Sequence, residues 1–370
     1  MLTSCSILPV RREASTSSYD RSAAGGDLVA GSVASADSPL LWYHSGMNTR
    51  RIAVVTAANS DMCPLALDLV QSVKDCAPFE FQMICLDVGL DRKDQGAMER
   101  SGAKLVPVGW DYPGPFPGDW FKALTARPHI PRYVPGFDLY IWLDADCWVQ
   151  EGSSLQRLVD AALEHPLAAA SAVHRGYRQF VAPSPTAPGI PMTRYHAYLY
   201  SQLVKSSIAS DLLQRPYLNG GVMAARGASP IWAAWQQLVG QLYPRARAAA
   251  PPPWQRIPNS NPNRLWKGGA QSPTFFHTEE VALNVAGHLE VGNPAILDAR
   301  CNWLCSQAIP MINRQSVFVD TAWPHAPIGI VHMSADTKQG KWSARLVEGG
   351  SVEVELRRPV SGKVKPGEQL

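Results

Sequence analysis

The sequence predicts an α/β fold, with a mostly parallel central sheet flanked by helices, and three observations lead there. Short apolar and β-branched runs alternate with stretches in which apolar residues recur at helical spacing. One run, Phe137 to Val149, is apolar and aromatic enough to be a buried central strand. It ends in two carboxylates one residue apart, Asp144 and Asp146. In an open α/β sheet the carboxyl ends of the strands face the ligand crevice, so acids there are placed for chemistry rather than packing. Residues i and i+2 of an extended strand share a side, which would aim both aspartates at one hard cation or its phosphate ligands. Asp-x-Asp is common in solvated loops; the preceding Tyr140-Ile141-Trp142-Leu143 sets this one apart.

Residues 1–46 are rich in Ser, Ala and Gly with little apolar periodicity, and disorder is expected there. Ser6 to Val10 is too short for a signal peptide and precedes Arg11-Arg12. Met47 looks like a natural start, which would make the first 46 residues a start-site artefact. The main domain is expected over 47–345 and a polar tail over 346–370, within which Val352 to Leu356 alternates like an edge strand.

Within the domain, Ile52 to Thr56 is a strand, Ala57 to Asp61 a turn, and Leu65, Leu69, Val70 and Val73 mark a helix that Ser60 or Asp61 would cap. Such a strand, polar turn and helix N-terminus suits anions. Phe81 to Leu86, Asp91 to Arg100 with Gly102 behind it, and Lys104 to Val108 repeat the strand-helix-strand pattern. The irregular stretch 109–137 contains Lys122, either a solvated lysine or a point charge for phosphate or a sugar oxygen. After the acids, Ser153 would cap a helix with Leu155, Leu158 and Val159 on one face, and Ala168 to Val173 is a further strand. Tyr195 to Arg215 reads as one long helix. Tyr217 to Met223 is a strand broken by Gly220 and Gly221, either a bulge or a close approach by a ligand. Ser229-Pro230 opens a helix ending near Pro244, and 244–276 is a long loop. Thr278 would cap a helix carrying Glu279 and Glu280 in its first turn, where the helix dipole favours acids. Ile328 to His332 is a short strand ending in a histidine.

Composition excludes several classes. Thirty-four Lys and Arg against thirty-one Asp and Glu leave +3, too near neutral for nucleic acid or an acidic membrane surface. Seven scattered cysteines form no disulfide framework or zinc ribbon, and reduced thiols in the cytoplasm fit best. No run of about eighteen apolar residues exists to cross a membrane. The prolines cluster at 183–191 and 244–262, as loops or lids.

Five of these segments, in order, resemble a GT-A glycosyltransferase, most closely the glycogenin-like family 8 of retaining enzymes, over roughly residues 48–345. They are Val54 to Asp61, Ile141 to Asp146, Asn219-Gly220-Gly221-Val222, Glu279-Glu280-Val281-Ala282-Leu283-Asn284, and His332 with Lys338. The resemblance implies that Asp144, Asp146 and His332 bind Mn2+ or Mg2+ beneath the diphosphate of a nucleotide-sugar donor, a UDP-sugar. It implies that Thr56, Ala57 and Asn59 lie against the nucleoside, that Ala145 and Gly220 border the donor, and that Lys122 and Lys338 contact phosphate or sugar. Asn219 would hold the sugar near its anomeric carbon, with Glu279 or Glu280 as candidate nucleophile. Glu279 stands where the family has Asp, and Met62 where glycogenin stacks an aromatic residue on the base. The Lys-Pro-Trp ending after the histidine is lost, which leaves Lys338 and the Lys341-Trp342 pair as alternatives.

The implied activity is metal-dependent transfer of a hexose, with retention, to a glycan, lipid-linked or protein acceptor. A sugar-phosphate nucleotidyltransferase is the nearest enzyme alternative, although Ala57 to Asp61 lacks that class's Gly-rich, basic loop. A catalytically silent GT-A binding module is the alternative from another class.

Overall fold

A computed structural model describes residues 50–177, 192–249 and 273–357. The expected disorder of 1–46, the proline loop at 183–191 and most of the 244–276 loop lie outside the described residues.

The chain opens with β1 (Ile52–Ala58), α1 (Cys63–Cys76), β2 (Gln82–Asp87), α2 (Arg92–Arg100) and β3 (Lys104–Pro107). Two short helices, α3 (Lys122–Ala126) and α4 (Ile130–Tyr133), lead into β4 (Leu139–Leu143), β5 (Cys147–Val149), α5 (Gly152–Glu164) and β6 (Ala168–Ser171). Next come α6 (Met192–Leu203), α7 (Ser206–Leu213), β7 (Leu218–Arg226), α8 (Ile231–Ala248), α9 (Pro273–Phe276) and α10 (Thr278–Val285). Seven strands make the central sheet, in the order β3-β2-β1-β4-β7-β6-β8, with β8 at Ala295–Leu297. Every neighbouring pair is parallel except those made by β7, which runs against both β4 and β6. The expected α/β class with a mainly parallel sheet is therefore what the chain adopts.

The central strands are apolar throughout because both faces of the sheet are covered. Along β4, Tyr140 and Trp142 enter one core cluster with residues of α8 and α10, while Leu139, Ile141 and Leu143 enter the other with α1 and α5. In β1 the same alternation divides Ala53, Val55 and Ala57 from Ile52 and Val54.

The strand order reverses between β1 and β4. The chain moves outward through β2 and β3, then returns to place β4 on the other side of β1. Such a switch point opens a crevice at the carboxyl ends of the two strands, where Asn59 and Asp144 follow β1 and β4. A smaller sheet, in the order β5-β12-β9, joins there, built from β9 (Trp303–Leu304) and β12 (Ile330–His332). Hairpins β10 (Met311–Ile312) with β11 (Phe318–Val319) and β13 (Trp342–Arg345) with β14 (Ser351–Val354) complete the described chain. Of the alternation at 352–356, only Val352 to Val354 falls in a paired strand, and beyond it the carbonyl of Leu356 accepts a 2.6 Å hydrogen bond from Trp148 Nε1.

Several local expectations are corrected. Asn59 rather than Ser60 or Asp61 serves the start of α1, its Oδ1 accepting from Met62 N at 3.1 Å. Ser153 lies inside α5, whose N-cap is Glu151, and Thr278 lies inside α10, its hydroxyl donating to Thr274 O at 2.8 Å. The single helix expected over 195–215 breaks at Val204 and Lys205 into α6 and α7. Helix α8 continues past Pro244 to Ala248, because buried Tyr243 and Ala246 hold its last turn against the core despite the lost backbone hydrogen bond.

Candidate active site

The two aspartates sit in a tight turn between the large and small sheets. Cys147 N donates to Asp144 O at 2.9 Å, so Asp144 to Cys147 reverse the chain instead of extending it. Strand alternation therefore does not bring the acids together; the turn does, with β12 laid against β5 so that His332 is the register partner of Cys147. Asp144 N donates to Gly221 O at 2.8 Å, and Met333 N to Asp146 O at 2.9 Å, which ties the turn to β7 and β12.

Gly221 is required by close approach. A methyl group there would lie 2.5 Å from His332 Cε1 and 2.9 Å from both Asn219 Oδ1 and Asp144 Oδ2. At Gly220 it would meet Arg127 Nη1 at 3.0 Å. The two glycines thus make room for the side chains of the site.

Each aspartate spends one oxygen on a cation of the chain. Asp144 Oδ1 accepts from Arg127 Nη2 at 2.5 Å and from Trp142 Nε1 at 2.8 Å. Arg127 is buried over the Trp142 ring, 5.0 Å from its centroid, and its Nη1 reaches Glu279 Oε2 at 3.1 Å. Burial opposes the guanidinium charge, but Asp144 and Glu279 outweigh it and hold Arg127 protonated. Asp146 Oδ2 pairs with Lys338 Nζ at 2.6 Å. Burial works against its ionisation, yet His332 and Lys338 hold its carboxyl well below the usual range.

The remaining oxygens face the imidazole. His332 Nε2 lies 3.4 Å from Asp146 Oδ1 and 3.9 Å from Asp144 Oδ2, while its Nδ1 lies 2.8 Å from Asn302 Oδ1. Asp146, Cys147 and His332, all buried, bring donor atoms within 4.8 Å of one another. Burial, with the two aspartates, pushes the Cys147 thiol well up. The oxygen and nitrogen atoms fit a divalent cation, because octahedral ligands at roughly 2.1 Å stand about 3 Å apart along an edge. The carboxylate oxygens suit Mg2+ or Mn2+, whereas the imidazole and the Cys147 thiol add softer atoms of the kind zinc takes.

The two glutamates differ sharply. Glu280 accepts from Tyr217 OH, Asn219 Nδ2, Gly220 N and His277 Nδ1 at 2.7 to 3.1 Å. Burial opposes its charge, but His277, Gly220 N–H and Tyr217 bring it down to about 2. Glu279 Oε1 is buried without a hydrogen-bond partner, and burial pushes its carboxyl up to about 8 despite Arg127. Their positions follow from Asn284, which accepts from Leu218 N and donates to Leu218 O, both at 2.9 Å, and so fastens α10 to β7.

The other residues singled out in the sequence are more dispersed. Thr56 and Ala57 are buried in β1, Thr56 Oγ1 without a hydrogen-bond partner. Ala145 is buried in the turn. Lys122 pairs with Asp119 at 3.0 Å and lies 5.4 Å over Trp110, and no described ion pair joins it to Asp144 or Asp146. Of the lysines left open, Lys338 is the one that reaches Asp146. Sequence reasoning missed Arg127, Cys147 and Asn302. Arg127 and Asn302 stand alone in irregular stretches with no pattern to flag them; Cys147 adjoins the acidic pair, and its register opposite His332 exists only in the fold.

No protein-family model matches the chain, and no curated protein does. Among solved structures it is similar to the galactosyltransferase LgtC in complex with donor and acceptor sugar analogs, at 13% identity and a TM-score of 0.44, over 77% of this chain and 88% of that one. An active-site mutant of LgtC gives 15% identity and 0.43, over 76% and 86%. The bifunctional glycosyltransferase WbbM in its apo form gives 10% and 0.43, over 79% of this chain and 47% of that one.

Proposed function

We propose that the chain is a metal-dependent glycosyltransferase of GT-A type that moves a hexose, with retention, from a nucleotide diphosphate sugar, a UDP-sugar, to a glycan, lipid-linked or protein acceptor. The observation that carries this reading is the convergence of Asp144, Asp146 and His332 where the strand order reverses between β1 and β4. We read 47–345 as the catalytic domain, with 346–370 as a tail within which Ser351–Val354 forms β14.

Glycosyl transfer from such a donor expels a diphosphate, and the barrier falls when its growing charge is met by fixed positive groups. A divalent ion held by Asp144, Asp146 and His332 would supply that charge. Lys338 is near enough to exchange Asp146 for a phosphate oxygen, and buried Arg127 adds a fixed positive charge beside Asp144. Asn219 donates to Glu280 at the start of α10. The four donors on Glu280 support an orienting role, while Glu279 keeps the unpartnered oxygen that a role at the anomeric centre needs. Cytoplasmic placement is supported by the free state of the six described cysteines, and no helix among the described residues is long and apolar enough to cross a membrane.

One observation favours a silent binding module instead: Arg127 and Lys338 already neutralise the two aspartates. A panel of nucleotide diphosphate sugars, with Mn2+, Mg2+ or Zn2+ present or chelated, separates the two readings. Metal-dependent hydrolysis of one donor is expected. Thermal stabilisation by UDP and metal without any turnover would replace the enzyme reading with the binding module.

A further inference from the structure

The orientation of His332 is set by a relay of side-chain hydrogen bonds that begins at Glu280. An ionised carboxylate only accepts, so the Asn219 atom 2.7 Å from Glu280 Oε1 is its amide nitrogen. Asn219 Oδ1 then points the other way, and a second anchor agrees: it accepts from the backbone N–H of Gly221 at 3.0 Å. The same oxygen lies 2.8 Å from Asn302, whose facing atom must therefore be Nδ2. That leaves Asn302 Oδ1 against His332 Nδ1 at 2.8 Å, and an amide oxygen accepts only from Nδ1–H. Nε2 is the nitrogen turned toward Asp146 Oδ1 and Asp144 Oδ2. Gly221 packs beside the ring, so that a methyl group added there would lie 2.5 Å from Cε1.

We propose that Asn302 is a positioning residue, which receives its amide orientation from Glu280 through Asn219 and holds His332 as the Nδ1–H imidazole with Nε2 presented to the divalent ion. The inference rests on Asp144, Asp146 and His332 being a metal site, and it gives Asn219 and Glu280 a task apart from contact with the sugar. Partners of this kind, bonded to the far nitrogen of a ligating histidine, typically change metal affinity 10- to 100-fold when removed.

The test uses the full chain, 15N-labelled at histidine, with long-range 15N–1H correlations to read the protonated ring nitrogen of His332, and Mn2+ titration followed by electron paramagnetic resonance. With Zn2+ bound, wild type is expected to show Nδ1–H and an Nε2 that carries no proton. Asn302→Leu is expected to bind Mn2+ roughly 10- to 100-fold more weakly, and Asn302→Asp, which still accepts from Nδ1–H but turns an acceptor on Asn219 Oδ1, to recover only part of the affinity. If Asn302→Leu does not fold, the wild-type spectrum and Asn302→Asp still decide. An Nε2–H imidazole in wild type, or unchanged Mn2+ affinity and tautomer in Asn302→Leu, overturns the relay. Failure of wild type to bind any divalent ion overturns the metal reading itself, and the relay's task with it.

Discussion

Asp144 and Glu279, 135 positions apart in the chain, are joined through one buried guanidinium, that of Arg127, at 2.5 Å and 3.1 Å. The bridge links the turn after β4 to the first turn of α10 and fixes which oxygen of Asp144 remains to face His332.

Removing one partner of a buried ion pair leaves an uncompensated charge and typically costs about 3–5 kcal/mol. Arg127→Met strands Asp144, while Glu279, already pushed up by burial, can stay protonated, so urea denaturation is expected to show a loss within that range. Arg127→Lys keeps the charge without the planar fork and is expected to lose less. A stability change below about 1 kcal/mol in Arg127→Met would show that the bridge carries no structural weight.

Gly221→Ala places a methyl group into His332 and Asp144. Overpacking of this kind costs about 1–3 kcal/mol, and here the displaced atoms are the candidate ligands. Weaker Mn2+ binding is expected together with a lower Tm, measured by titration and calorimetry on the same variant. A lower Tm with unchanged affinity would place the strain elsewhere.

Lys338 pairs with the same Asp146 that would hold the ion. Lys338→Met removes an internal competitor and, on the proposed reading, also a phosphate contact. Mn2+ affinity is expected to rise while turnover falls. If both fall together, Lys338 supports the turn and does not compete for the carboxylate.

His196 is buried and stacked on Tyr217, ring centroids 3.6 Å apart. Burial brings it down to about 4, against Glu280, which favours the charged form. Below the ordinary value of about 6.5 the unfolded chain takes up a proton that the folded chain refuses. Stability from this group is therefore full above about pH 6.5 and is lost as pH falls toward 4. His196→Phe keeps a flat ring on Tyr217, and its urea midpoint is expected to decline less over that window than the wild type's. Parallel declines would remove His196 from the account.

The large sheet was legible because its strands are covered on both faces, which writes continuous apolar runs such as Leu139 to Leu143 into the chain. Asp144 and Asp146 stood out for the same reason, as charge at the end of such a run. The turn that joins them was hidden, since Asp144-Ala145-Asp146 carries no glycine or proline to announce it. Glu279 and Glu280 were attributed in part to the helix dipole, yet both are buried, and only the packing of α10 on β7 and α8 reveals it. Arg127 and Asn302 act at long range through single side chains, which leaves no periodic trace. Local capping failed at α1 because Asn59 competes with Ser60, whose hydroxyl is taken by Asp91 N at 2.8 Å.

On the proposed reading, the turn at Asp144 and Asp146 holds a divalent ion that a nucleotide diphosphate sugar needs in order to react. Turnover of the responsive donor by Asp146→Ala, compared with wild type at saturating Mn2+ and with the fold checked by circular dichroism, tests it most directly. Loss of metal-dependent turnover in a folded variant is the expected result; turnover equal to wild type would contradict it.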